Sequence, residues 1–218
     1  MPWLLIFLIR PDLRRCLLLM SILCMPLGAS DAVFIPHYWH PVTLFDWVPG
    51  VESFVFAFNT GGLAGTLFKV VARRAVVVEP SLAHPSVAVQ ALLLIIGPIL
   101  LGWAFPQSPF AIHLGYIEAV TMSIGAGLIV QKRRDLGAEI LGGGSLFFVL
   151  HFDVLILLDR VMFPGWIDHT WNFQILSGIR LAGAPVEDLL WAFTLGAVWA
   201  PLYELLMGGR LSKRPSGK

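Results

Sequence analysis

The fold is decided by Ala184-Pro185-Val186-Glu187-Asp188-Leu189-Leu190-Trp191-Ala192-Phe193. Two carboxylates stand in the first turn of a helix that is otherwise apolar to about Met207. Pro185 suits that first turn, because its missing N–H would have had no partner there. Acids at the head of a helix suited to lipid cost free energy, so they indicate a function. The alternative is that they only complement the helix dipole.

A second stretch has the same form: Gly50-Val51-Glu52-Ser53-Phe54-Val55-Phe56-Ala57-Phe58-Asn59-Thr60-Gly61. When the two stretches are aligned on Glu52 and Glu187, valine precedes each acid. Ala-Phe follows each acid five and six residues later, and glycine follows nine residues later. We therefore predict that the chain contains an internal repeat, which has to be recognised before a fold is assigned.

The composition excludes a soluble globular domain. The 218 residues are 57% hydrophobic and 13% charged, whereas soluble domains carry about 25% charged residues. Crossing a bilayer takes roughly 20 apolar residues, and Met1–Ile9 is too short for that. We predict an all-α polytopic membrane protein with six full transmembrane helices and a short N-terminal apolar stub, a seven-span architecture. The predicted spans are 13–30, 51–71, 83–105 (interrupted at Gly97-Pro98), 111–130, 136–158 and 185–207. Cys16 and Cys24 are expected to be buried free thiols.

The basic residues predict the orientation. All lysines and arginines except Arg160 and Arg180 fall on one side if alternate loops share a side, and Lys69 is counted among them. The positive-inside rule then places the C-terminus in the cytoplasm and the loops 31–49 and 159–184 outside. Because these residues form no single patch, they do not indicate a nucleic-acid partner.

Both glutamate-headed helices then run from outside to inside. Arg10-Pro11-Asp12-Leu13 and Arg133-Arg134-Asp135-Leu136 each precede a span that leads to an outer loop. The two repeats are therefore predicted to be parallel, with a shared site between them. The predicted organisation is a first repeat (1–74), a connector containing a transmembrane helix (75–109), a second repeat (110–209) and a disordered basic cytoplasmic tail (210–218).

Glu52, Glu187 and Asp188 are the predicted catalytic residues. Apolar surroundings favour the protonated form of a carboxyl group, which can then act as an acid at neutral pH. Helix capping and packing between the repeats are the alternatives. Glu118, inside the fourth span, is a candidate for substrate binding, and a packing hydrogen bond is its alternative. Asp153, with His151 nearby, could bind substrate or orient the glutamates.

Aromatic side chains near these acids are candidates for substrate binding, because their faces attract cations. Packing in the core or against lipid is the alternative for each. The candidates are Phe56, Phe58, Trp191, Phe193, Trp39 and Trp171. His37 and His40 lie three residues apart, but no cysteine or acid stands at a matching spacing and Pro41 breaks any helix there. No metal site is therefore predicted.

These motifs resemble the membrane-embedded lycopene cyclase domain of the heterodimeric bacterial, archaeal and fungal type. The second copy carries the resemblance in order, through Arg133-Arg134, Asp153 or Asp159, Trp171-Asn172, Gly178 and Pro185-Val186-Glu187-Asp188 with Trp191 and Phe193. The first copy matches more loosely, through Arg14-Arg15, Asp31, Tyr38-Trp39 and Val51-Glu52. Gly50 replaces the family's proline and Ser53 its second acid, which indicates a divergent member.

The resemblance implies a carotenoid β-cyclase-type enzyme that cyclises the ψ-end of a linear carotenoid without net redox change and without a cofactor. It assigns Glu187 as the proton donor, Glu52 as its counterpart in the other half, and Asp188 as the base or as a group that tunes Glu187. It implies an integral protein of the bacterial inner membrane, whose partners are the bilayer and an apolar polyene or isoprenoid lipid. Oligomerisation stays open.

Two alternatives remain at this point. The first is a non-catalytic carotenoid- or isoprenoid-lipid-binding protein on the same scaffold, which the degenerate first motif favours. The second is a small transporter, because repeats and intramembrane acids are common in transporters. The transporter is the weaker alternative, because both glutamates are predicted near one side of the membrane rather than at its middle.

Overall fold

The computed structural model describes residues 2–35 and 37–213, without the side chains of Phe110 and Ile112. The helices are α1 Pro2–Ile9, α2 Arg14–Cys24, α3 Asp31–Phe34, α4 Val51–Val71, α5 Pro85–Ala104, α6 Pro109–Ile112, α7 Leu114–Lys132, α8 Gly137–Leu157, α9 Trp166–Thr170, α10 Val186–Trp199 and α11 Leu202–Met207. The strands are β1 Arg74–Val78, β2 Arg180–Leu181, β3 Ala184–Pro185 and β4 Gly209–Lys213. Short 3-10 turns precede α2 and α8, and a π-helical turn, Leu158–Met162, extends α8.

Within the described residues, 6 helical segments are long and apolar enough to cross a membrane. These segments are Pro11–Phe34, Val51–Val71, Pro85–Ala104, Leu114–Lys132, Arg134–Met162 and Val186–Met207. The protein is therefore mostly helical with six candidate membrane spans, which agrees with the six long apolar stretches in the sequence. The short α1 lies against α4, where Trp3 packs on Phe58 at a ring distance of 5.4 Å.

The helix α10 is the centre of the bundle. It packs against α8, α7 and α4, while α2 packs on α4 and α5 packs on α7. Glycines allow the closest crossings: a side chain on Gly61 would collide with Cys24, and one on Gly196 would collide with Phe147. Small residues at such positions let helix backbones approach, which is how helices associate in lipid. Cys16 and Cys24 are both buried and free, as predicted.

The bundle has a loop end and a strand end. The loop end carries residues 37–50 and 163–185, together with the first residues of α4 and α10. The strand end carries β1 and β4. Trp39 and Trp171 form an isolated antiparallel bridge at the loop end, so the two long loops lie against each other there.

The expected disordered tail is wrong for residues 210–213. They belong to β4, which pairs antiparallel with β1 from Arg74↔Lys213 to Val78↔Gly209. The run Val76–Val78 has the β-branched side chains that favour a strand, but its partner lies at the far end of the chain. Residues 214–218 lie outside the described residues.

Three prolines affect the helices differently from what the sequence predicts. The predicted interruption at Gly97-Pro98 is wrong, because α5 continues through Pro98. The last span instead breaks at Pro201, between α10 and α11. A proline lacks the N–H that continues the helix ladder. At this break the carbonyl of Ala200 accepts a hydrogen bond from the ammonium of Lys69 at 2.8 Å. Pro185 is the residue before α10 and not part of its first turn.

Candidate active site

The carboxyl group of Glu187 is held at the head of α10 by one of its oxygens. The phenol of Tyr116, on α7, donates to Oε1 at 2.5 Å, and the backbone N–H of Ser177 donates to the same atom at 2.7 Å. The N–H of Val186 bonds to the carbonyl of Ile179, which ties the start of α10 to the preceding loop. Among the described residues, the buried Oε2 has no hydrogen-bond partner. One oxygen is therefore fixed by two donors, while the other is buried without a donor from the described residues.

Asp188 turns to a different partner from its neighbour. Its Oδ2 lies 2.6 Å from Nε2 of His151 on α8. The imidazole lies beside Phe147 and meets the ring of Trp191 edge-on at 5.7 Å. Adjacent residues on a helix point about 100° apart. Glu187 therefore contacts α7, whereas Asp188 contacts α8.

A third acid, Glu118, lies inside the bundle. It is 2% exposed, on α7, and the side chain of Trp191 lies close to its carboxyl group. Its Oε1 has no partner among the described residues. Glu118, Trp191, His151 and Asp188 thus form a continuous series of contacts that links α7, α10 and α8.

The loop of residues 37–50 covers this site. The carbonyl of Tyr38 accepts from the N–H of Asn172, and the N–H of His40 donates to the carbonyl of Thr170. Burial raises the pKa of the Tyr38 phenol well above its ordinary value, and the nearby carboxyl groups of Asp188 and Glu187 raise it further. Tyr38 therefore stays neutral next to both Glu187 and Asp188 of α10.

The two predicted tryptophans of the loop end also lie at this junction. The rings of Trp39 and Trp171 are 5.9 Å apart, and Trp166 meets Trp171 edge-on at 5.1 Å. Trp171 is buried and contributes to an apolar cluster with Leu189 of α10. Both tryptophans therefore pack the loops over the site.

The other candidates lie elsewhere. Oε1 of Glu52 accepts the N–H of Leu44 at 3.1 Å, so Glu52 holds its own loop. Within the described residues, Glu52 and Glu187 have no hydrogen-bond partner in common. Phe58 packs on Trp3, Phe56 is 50% exposed on α4, and Asp153 is on the exposed side of α8. His37 bonds the carbonyl of Pro106, and no group of three metal-ligating side chains occurs among residues 2–35 and 37–213.

Two apolar grooves open on either side of Leu190. The larger, of about 440 Å³, lies between α7 and α10 and is lined by Tyr116, Ala119, Val120, Ser123, Ile124 and Leu190. The smaller, of about 200 Å³, is lined by Phe148, Val186, Leu189, Leu190 and Phe193. Tyr116 therefore belongs both to the larger groove and to the hydrogen bonds of Glu187.

Sequence reasoning missed Tyr116 and Ser177. Ser177 donates to Glu187 through its backbone N–H, a group that every residue except proline carries, so the sequence does not single it out. Tyr116 stands two residues before Glu118. A second polar side chain so close to an acid in an apolar span could have indicated that Tyr116 belongs to the site. His151 was noted, but beside Asp153 rather than as the partner of Asp188.

The fold and this site define a class: a polytopic helical protein with a carboxylic-acid site at one end of an apolar bundle. Residues 113–206 match the family model for lycopene cyclase. This segment, which runs from just before α7 into α11, is therefore similar to the lycopene cyclase domain family. That segment contains Tyr116, Glu118, His151, Glu187 and Asp188. No curated protein and no solved structure matches the chain.

Proposed function

We propose that this protein cyclises the ψ-end of a linear carotenoid by acid catalysis, without net redox change. The proposal rests on the hydrogen bonding and burial of the Glu187 carboxyl group. One carboxyl oxygen is fixed by two donors, and the other is buried with no hydrogen-bond partner in the described part of the chain. An apolar groove of about 440 Å³ begins at Tyr116 beside it.

The reaction begins with transfer of a proton from Glu187 to the terminal alkene. The two π electrons of that alkene form the new C–H bond and leave a tertiary carbocation. The neighbouring double bond then attacks the cation and closes the ring. Loss of a proton from the adjacent carbon restores an alkene, so substrate and product are isomers. Tyr116 and Ser177 stabilise the carboxylate left on Glu187 after the transfer, because hydrogen bonds to a charged oxygen in a dry site are strong.

The base is assigned to the pair of Asp188 and His151. Their contact of 2.6 Å allows a proton accepted by the pair to be shared between the carboxylate and the imidazole. The aromatic rings of Tyr38 and Trp191 supply faces for the carbocation. The rest of the polyene lies in the larger groove, where Ala119 and Ser123 are small enough to admit a flat chain against α7.

The test is to express the chain in a lycopene-accumulating bacterium and to separate the pigments by chromatography. The parent chain should give cyclised carotenes and Glu187→Gln should give none. Glu52→Gln is the matched control, because Glu52 occupies the corresponding position at the head of α4, where its Oε1 accepts from the N–H of Leu44 in the adjoining loop. Unchanged lycopene from a folded, inserted parent chain would refute the proposal for this substrate. Pigment that co-purifies without conversion would identify a non-catalytic binding protein instead.

We also propose that the two halves are parallel repeats related by a pseudo-two-fold axis. Arg10 forms a two-pronged bond to Asp12 at 2.9 and 2.7 Å, and Arg133 forms the same bond to Asp135 at 2.8 and 2.7 Å. Each arginine then reaches the carbonyl of the first residue of a strand: Arg74 for Arg10, and Gly209 for Arg133. The alignment of Glu52 with Glu187 makes Arg74 equivalent to Gly209.

The strand pair supports the same axis. That alignment makes Val76 and Leu211 equivalent, and they are the central partners of the β1–β4 ladder. An antiparallel pair whose central partners are equivalent has local two-fold symmetry, so the axis passes through this pair. The proposed arrangement includes a cytoplasmic strand end and C-terminus, outer loops on the other side, and the bacterial inner membrane as the location.

A further inference from the structure

A buried ionic cluster lies at the strand end, away from the candidate active site. The ammonium of Lys69 is 2.5 Å from Oε1 of Glu139 on α8 and 3.2 Å from Oε2 of Glu204 on α11. All three side chains are 0% exposed. Lys69 also donates to the carbonyls of Gly65 at 2.7 Å and Ala200 at 2.8 Å. The proposed cyclisation uses none of these groups.

Stability alone is a weak reason for such a cluster. Removing two or three charges from water is expensive, and apolar residues of the same volume often stabilise a protein as well or better. Breaking a buried pair is costly, however, because the remaining charge has no partner. A buried ionic group is therefore suited to discriminate between a correct and an incorrect neighbour.

The cluster is built from equivalent positions of the two proposed repeats. Alignment on Glu52 and Glu187 pairs Lys69 with Glu204 and Gly65 with Ala200. Alignment of the two basic turns pairs Cys16 with Glu139, and the thiol of Cys16 contacts the carbonyl of Gly65. Lys69 thus forms an ion pair with its own counterpart and donates to two equivalent carbonyls. The cluster therefore lies on the proposed axis, where each half meets the other.

We infer that this cluster is the surface by which the second half selects the first half as its partner and rejects another copy of itself. Two second halves would bring four carboxylates, from two copies of Glu139 and Glu204, into one dry region without a cation. Two first halves would bring two lysines together without a carboxylate. Only the mixed pair places an ammonium between the carboxyl groups, so the second half fits a partner with a lysine at position 69 and a neutral residue at position 16.

The test uses the full chain in detergent and needs no pigment. Lys69→Glu should lower the ratio of folded to unfolded protein by roughly a hundredfold or more, as loss of one partner in a buried ion pair does. The matched variant exchanges the cluster across the axis: Cys16→Glu, Lys69→Glu, Glu139→Cys and Glu204→Lys together. The exchange should recover most of the folded yield and thermal midpoint, because every group then has its partner in the opposite half. An exchanged protein no better folded than Lys69→Glu would overturn the inference.

A second variant separates specificity from folding. Lys69→Met, Glu139→Gln and Glu204→Gln together remove every charge and keep the volumes. This variant should fold, but a larger fraction than in the parent should associate like half with like half between chains, seen as dimers and larger oligomers by size-exclusion chromatography. Retention of the parent's oligomeric state by a folded neutral variant would show that the charges do not select the partner. Pigment conversion is a separate readout, so failure here does not bear on the cyclase proposal.

Discussion

Tyr116 joins α7 to the head of α10 through a 2.5 Å hydrogen bond to Glu187. This contact fixes the carboxyl group at the mouth of the larger groove, and its loss should weaken catalysis more than folding. For Tyr116→Phe we expect cyclisation to fall about tenfold to a hundredfold, because a hydrogen bond to a charged group contributes about 1.5–3 kcal/mol. Initial rates of carotene formation in membranes measure this.

The control for that change is Tyr203→Phe. Tyr203 is a buried tyrosine on α11, away from the loop end, so the same loss of a hydroxyl there should leave the rate near that of the parent. Equal losses in both variants would mean that Tyr116 acts through general packing and not through Glu187.

His151 and Asp188 should behave as one unit. Asp188→Asn and His151→Phe should each reduce cyclisation, and the double variant should be no slower than the slower single variant, because residues in contact are not additive. The four rates of a double-mutant cycle measure the coupling. Asp153→Asn is the matched control, since Asp153 lies two residues from His151 on the exposed side of α8. Additive losses would argue against a shared proton.

The six helical spans were predictable from the sequence, and the acids of α10 could be proposed from it, because both signals are local. Long apolar runs fix the spans whatever their neighbours are, and an acid at the head of such a run is costly enough to be noticed. The strand β4 was missed because its partner, β1, is more than a hundred residues earlier. Lys69 counts among the basic residues that predict the cytoplasmic side, yet it is fully buried. Its compensation comes from Glu139 and Glu204 on distant helices, which no local pattern shows.

Tyr38 should make the folded protein sensitive to alkaline pH. Its pKa is raised by burial and by the acids of α10, whereas an unfolded tyrosine titrates near pH 10. The folded state therefore holds this proton more tightly than the unfolded state. The resulting stability is complete below pH 10 and decreases as pH rises above it.

Thermal midpoints of the parent and Tyr38→Phe between pH 8 and 11 measure the contribution of Tyr38. The parent should lose more stability than the variant above about pH 10, and the two curves should run parallel below it. Parallel curves over the whole range would show that Tyr38 is not shielded from water beside Glu187 and Asp188.

The groove between α7 and α10 should determine how well the polyene binds. Ser123→Leu places a branched side chain in the wall that Ala119 and Tyr116 share, so it should obstruct a flat chain. We expect the KM for the carotenoid to rise by about tenfold while the free energy of unfolding changes by less than about 0.5 kcal/mol, as is usual at an exposed position. Ser145→Leu makes the same change at an exposed position of α8 that lines neither groove. It should keep the parent's KM. A raised KM in both variants, or in neither, would place the polyene elsewhere.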